Sequence, residues 1–246
     1  MPKPLLDALI NLFYPQSCPI CSRALISDEN EHAVCKACAE RITANRPPFC
    51  PKCGQGAQPP QTRDCPACKG RTFYFDRAWS ACSYQDPLKT LIHNFKYNSK
   101  LKLRKLFAKL LIQFIDGYHL PIKNYDVFLS VPMHRARLRE REINHSQVLT
   151  EQLATHYQIP LSLGNCMRIH QHALQSNLTF HQRIENVKGA FQVKHKEEFK
   201  DRVSLVIDDV FTSGSTLSEV ARALKDSGAC RVDVITLART TNYKTT

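Results

Sequence analysis

Residues 203–216 read VSLVIDDVFTSGST, and this stretch decides the fold. The apolar, β-branched run that opens it suits a strand buried on both faces of a parallel sheet. It ends in two adjacent carboxylates, Asp208 and Asp209, followed by Val210 and a loop of small residues, Thr212, Ser213, Gly214, Ser215 and Thr216. LSEVARALKDSG (217–228) then has helical apolar spacing. Strand, small-residue loop and helix in that order make one half of an α/β crossover. In such sheets ligands bind beyond the carboxyl ends of strands.

The loop chemistry narrows the ligand. The first turn of a helix leaves backbone N–H groups unpaired, and small side chains let them converge on one phosphate. Hydroxyls add donors, and Gly214 tolerates a positive φ. A nucleoside triphosphate loop needs GxxxxGK[ST], and no lysine is present; GxGxxG is absent as well. Carboxylates repel phosphate oxygens but accept hydrogen bonds from sugar hydroxyls, and they can hold water on a magnesium ion. Acids at a strand end followed by a phosphate cup suit a ribose 5-phosphate, with its hydroxyls on the acids and its phosphate in the loop.

Working outward, strands are expected at RAWSACSY (77–84), YDVFLSVP (125–132), VSLVIDDV (203–210) and RVDVITLAR (231–239). Helices are expected at DPLKTLIHNFKY (86–97), begun by Asp86 and Pro87, at LKLRKLFAKLLIQFI (101–115), and at SQVLTEQLATHYQ (146–158). Alternating strands and helices imply right-handed crossovers and a mainly parallel central sheet.

The first 70 residues differ in texture. They hold four CxxC pairs, Cys18/Cys21, Cys35/Cys38, Cys50/Cys53 and Cys65/Cys68, and little that could form a core. Pairs of thiolates presented from tight turns fit two four-cysteine zinc sites, which supply folding energy and leave no open position for catalysis. Sequential pairing is favoured over a cross-braced arrangement because the gaps between pairs are short. Cys82, Cys166 and Cys230 are expected to be small buried residues. The division is a module over 1–72, opened by an amphipathic helix through Leu5, Leu6, Leu9, Ile10 and Phe13, and an α/β domain over 73–246.

No apolar run approaches the roughly 18 residues of a membrane span, and Met1–Pro15 lacks the features of a secretory signal. A cytoplasmic location is the expectation, and it favours zinc over disulfides. The formal charge of +12 points to phosphate in a small ligand or a nucleic acid. Two zinc–thiolate centres would lower that balance without reversing it. The basic residues form two sets: Arg135, Arg137, Arg139 and Arg141, and then Lys96, Lys100, Lys102, Arg104, Lys105 and Lys109. A solvated helix face explains them; so does a groove for single-stranded DNA or RNA, with Tyr84, Phe95, Tyr97 and Tyr118 as candidate stacking residues, though such aromatics are more often core. His134 and His145 lie near the expected strand ends, and His170, His172 and His181 in an intervening loop; none is favoured as a catalytic group.

VIDDVFTSGST (206–216) resembles the 5-phosphoribosyl 1-pyrophosphate (PRPP) motif of type I phosphoribosyltransferases. Nearly the whole chain resembles the competence protein F family (ComF/ComFC and GntX-like). The resemblance is carried by the cysteine pairs, FKY (95–97), SVPMHRARLREREIN (130–144), and a segment from Arg168 through Gln175, Arg183 and Asn186 to GAF (189–191). It implies an N-terminal double zinc ribbon before a phosphoribosyltransferase-like domain, and PRPP bound with Mg2+. Thr212 to Thr216 would take the 5′-phosphate, Asp208 and Asp209 the ribose hydroxyls, and Val131, Pro132, Met133 and His134 the diphosphate. Arg141, in the position of the family's RGFNQ arginine, and Lys96 would be further diphosphate ligands. The sequence departs from that motif at REINH (141–145), with Glu142 for the usual glycine and His145 for glutamine. Two functions follow from the resemblance: a PRPP-binding factor in competence and DNA uptake, contacting single-stranded DNA and proteins of the competence machinery, or an active phosphoribosyltransferase in nucleotide metabolism or base salvage.

Overall fold

A computed structural model describes residues 16–56, 65–97, 100–170 and 187–240, with only the backbone for Ser27 and Asp28. The expected helix through Leu5 to Phe13, and Gln175, Arg183 and Asn186, lie outside the described residues. The elements in chain order are α1 (Ser27–Asn30), α2 (Lys36–Ala39), β1 (Arg77–Ser83), α3 (Leu88–Tyr97), α4 (Leu103–Gly117), β2 (Val127–Ser130), α5 (Arg135–Arg141), α6 (His145–Tyr157), β3 (Leu161–Ser162), β4 (Cys166–Arg168), β5 (Phe191–Val193), β6 (Val203–Phe211), α7 (Ser215–Lys225) and β7 (Arg231–Arg239). Five strands form one sheet in the order β1-β7-β6-β2-β3, and every pairing in it is parallel. β4 and β5 make a separate antiparallel pair.

The period of two along the central strands splits the core into two layers. Phe128, Leu205, Ile207, Ile235 and Leu237 face α3, α4 and α6 on one side of the sheet. Val127, Leu129, Val206, Val232 and Val234 face α7 on the other. The cysteine module is not an appendage. Cys18, Cys35 and Cys38 belong to the first layer, while Cys50, Cys53 and Cys65 belong to the second. Asn45 stitches the module to the sheet edge, donating from Nδ2 to the carbonyls of Gly54 (2.9 Å) and Ser80 (3.0 Å). A Cβ at Gly54 would lie 2.3 Å from the Ala78 carbonyl oxygen, so the knuckle backs directly onto β1.

The start of α3 follows the sequence reading: Asp86 Oδ1 accepts from the Thr90 hydroxyl (2.6 Å) and N–H (3.3 Å). The run of alternating arginines does not read as a helix, yet Arg135–Arg141 is one, because His134 Nδ1 caps it by accepting from Ala136 N–H. Cys82 and Cys166 are buried as expected; Cys230 is exposed, because it sits on the turn that precedes β7.

Candidate functional site

The cysteines cluster in sequential pairing. Cys18, Cys21, Cys35 and Cys38 form one group and Cys50, Cys53, Cys65 and Cys68 another, with all sulfurs of a group within 4.8 Å of one another. Four thiolates arranged tetrahedrally at about 2.3 Å from zinc stand roughly 3.8 Å apart, against about 2.0 Å in a disulfide. The observed Cys21–Cys35 and Cys53–Cys65 separations are 3.7 Å and Cys50–Cys68 is 3.8 Å. The donor sets therefore fit zinc.

The second site lies at the carboxyl ends of β2 and β6. These strands are paired neighbours, Ser130 opposite Ile207, so residues 131–134 emerge beside Asp208 and Asp209. One cleft is lined by Lys96, Val131, Pro132, Met133, Arg141, Asp208, Asp209, Val210, Thr212, Ser213, Gly214 and Thr216. Of the ligand residues expected from sequence, two do not line it: His134, whose Nδ1 caps α5 and which lines a neighbouring cavity, and Ser215. The Ser215 side chain is buried behind the loop, within 2.7 Å of the Ser213 hydroxyl. Gly214 caps α7 at φ +76°, and its carbonyl accepts from Ser218 N–H.

The two acids have separate environments. Asp209 is buried and forms an ion pair with Lys96 Nζ at 2.6 Å. Asp208 Oδ1 accepts from the Ser146 hydroxyl at 2.5 Å and from Asp209 N–H at 2.8 Å. Burial, then the neighbouring Asp209 charge, push the Asp208 carboxyl up to about 7. The next residue along FKY, Tyr97, accepts a hydrogen bond from Arg141 Nη2 at 2.8 Å, and its ring lies 4.7 Å beneath the Arg141 guanidinium. Phe95 packs edge-on against the His145 ring at 4.7 Å. Three successive residues of α3 thus fix an acid, an arginine and a histidine.

Arg137, Asn144, Ser146 and Arg168 also line the cleft and were missed as site residues. Asn144 closes it from below, donating from Nδ2 to the Val131 carbonyl at 3.1 Å. Burial, then the Arg137 charge, lowers the Arg168 guanidinium, and both arginines line the same cleft. The REINH segment could have indicated Asn144; Ser146 and Arg168 had no signal tying them to Asp208 before folding. His145 is not exposed to the cleft chemistry: it is buried, and burial pushes its imidazole below its ordinary value.

A parallel sheet with an acid pair and a small-residue loop at its carboxyl edge, braced by two four-cysteine centres, defines a phosphoribosyltransferase-like domain carrying a double zinc ribbon. The double zinc ribbon domain family matches residues 9–72, and the phosphoribosyl transferase domain family matches residues 140–245. DNA utilization protein YhgH of Salmonella typhimurium is 30% identical over 235 residues, covering 93% of this chain and 99% of that protein. Competence protein F of Haemophilus influenzae is 29% identical over 214 residues, 85% of this chain and 91% of that protein. Competence protein ComFC of Streptococcus pneumoniae is 24% identical over 219 residues, 89% and 93% respectively. The chain belongs to the family that contains DNA utilization protein YhgH and competence protein F.

Proposed function

We propose that the cleft binds PRPP with Mg2+ and that the protein serves DNA uptake in natural transformation as a PRPP-binding factor. The observation that carries this is the convergence of both halves of the sequence motif with Val131, Pro132, Met133 and Arg141 on one cleft. The Thr212–Thr216 loop holds the 5′-phosphate through backbone N–H groups and hydroxyls. Asp208 and Asp209 accept from the ribose hydroxyls. Arg141, steadied by Tyr97, and Lys96 face the diphosphate with Arg137 and Arg168. Magnesium, where bound with the ligand, would supply neutralisation of the diphosphate charge. Asp208 and Asp209 present the hard oxygen acceptors that suit its water shell. In a turnover reaction the anomeric C–O bond would break with its electrons leaving on pyrophosphate, and a nitrogen lone pair would form the new bond.

The role in DNA uptake draws on the relatives' names, which describe competence and DNA utilization proteins. Lys102, the residue before α4, and Arg104, Lys105 and Lys109 on it are exposed, Lys105 against Glu31 at 3.1 Å, and form the basic surface proposed for single-stranded DNA. No helix among the described residues is long and apolar enough to cross a membrane.

Titration of PRPP with Mg2+ into the wild type and the Asp208→Asn/Asp209→Asn variant tests the site. Affinity is expected to fall at least about tenfold, near 1.4 kcal/mol. Equal affinity in the two proteins would remove the assignment. Pyrophosphate release in the presence of a panel of nitrogenous bases separates enzyme from binding factor: release with any base favours the enzyme, and binding without release favours the factor. Single-stranded DNA affinity should fall steeply with salt, and a flat response would exclude the basic face.

A further inference from the structure

The second cysteine centre and the small-residue loop lie on the same side of the sheet, and buried side chains connect them. Arg239, at the carboxyl end of β7, is 1% exposed. Its guanidinium straddles the knuckle of the second centre: Nη1 donates to the Cys53 carbonyl, and Nη2 lies 3.8 Å from Cys53 Sγ. Its flank covers Phe211, with Cζ 5.0 Å from the ring centroid. Arg239 and Phe211 are register partners at the ends of β7 and β6, and Phe211 is the last residue before the loop. The Phe211 ring then fills the space beside Gly214, where a Cβ would lie 2.6 Å from Phe211 Cζ and 3.0 Å from Phe73 Cε1. From sulfur to loop, the contacts are continuous.

We propose that Arg239 is a positioning residue that ties the second zinc centre to the conformation of the Thr212–Thr216 loop. A buried guanidinium is costly without negative charge beside it. Four thiolates around a dication carry a net negative charge, and Cys53 presents that charge to Arg239. With the metal gone, the knuckle that seats the guanidinium through the Cys53 carbonyl is no longer held in place. Phe211 then loses its cover, and the loop loses the ring against which Gly214 is packed. The first centre packs on the opposite side of the sheet. Its neighbouring arginine, Arg23, is half exposed and paired with Glu29 at 2.6 Å, which makes it a matched control. The functional weight of this coupling rests on the reading of the loop as a phosphate cup; the coupling itself is read without ligand.

The test is hydrogen exchange of the amides of residues 211–217 in the ligand-free, full-length protein, with zinc counted by native mass spectrometry. Arg239→Met should exchange at least about tenfold faster there than the wild type, with or without loss of one zinc ion. Arg23→Met should exchange at the wild-type rate. Wild-type exchange in a folded Arg239→Met protein would overturn the proposal, as would equal acceleration by Arg23→Met. If Arg239→Met does not fold, Phe211→Leu decides: faster loop exchange supports the coupling, and unchanged exchange ends it. Accelerated exchange in a protein whose wild type binds no PRPP would leave the coupling standing and remove the ligand reading instead.

Discussion

Asp208 and Asp209 are neighbours in sequence but not in chemistry. Lys96 pairs with Asp209, while Asp208 shares a hydroxyl with Ser146 and is pushed from its ordinary 3.8 up to about 7 by burial and by Asp209. A carboxyl raised on folding stabilises the fold below the unfolded value, and that contribution disappears as pH rises through the folded value. The ligand-free protein should therefore lose about 2 kcal/mol between pH 4 and pH 8 from this group, part of the full linkage being screened by cleft water. Denaturant melts of Asp208→Asn should lack that loss, and PRPP affinity should rise from pH 6 to 8 in the wild type but not in the variant. Glu142 is the second residue with a particular constraint. It is exposed and ends α5 at φ +60°, the left-handed region, where the family's usual glycine would sit without strain. Glu142→Gly should stabilise the protein by about 1 kcal/mol, raising the melting midpoint by roughly 2–4 °C.

Among the elements, the β6–loop–α7 unit was the most legible. Its strand is apolar on both faces, its loop is built of small residues, and its helix follows with regular spacing, so local chemistry and tertiary role agree. Gly214→Ala tests the loop: the left-handed backbone and the overlap with Phe211 together should cost about 2 kcal/mol in stability. PRPP affinity should fall at least tenfold, as measured by calorimetry; wild-type affinity in a folded variant would show that the loop does not hold the phosphate. Helix α5 was illegible for the opposite reason. Seven residues with four arginines carry no apolar period, and only the His134 cap and the packing of the following turn settle the conformation. The roles of FKY were equally hidden, since Tyr97 meets Arg141 across 44 residues of chain.

For the whole molecule, the metal centres are members of the core. Cysteines of the first centre pack with α4, and those of the second with α7 and the sheet. Structural zinc contributes roughly 10 kcal/mol or more per site in small domains, comparable to the whole stability of a typical domain. Removal of both ions with a strong chelator should abolish the cooperative thermal transition, with native mass spectrometry reporting two zinc ions before and none after. A metal-free protein that still melts cooperatively would count against this. The cysteine spacing, the buried strands and the acid–loop motif determined the fold class, the two zinc ribbons and most of the cleft, because each is written in local periodicity or in ligands a few residues apart. The tertiary structure alone decided that Lys96 meets Asp209, that Ser146 meets Asp208, and that Arg239 joins a zinc knuckle to the loop. Those partners lie in different elements, and only folding brings α3, α6 and the knuckle to the strand ends that the parallel register of β7, β6 and β2 aligns.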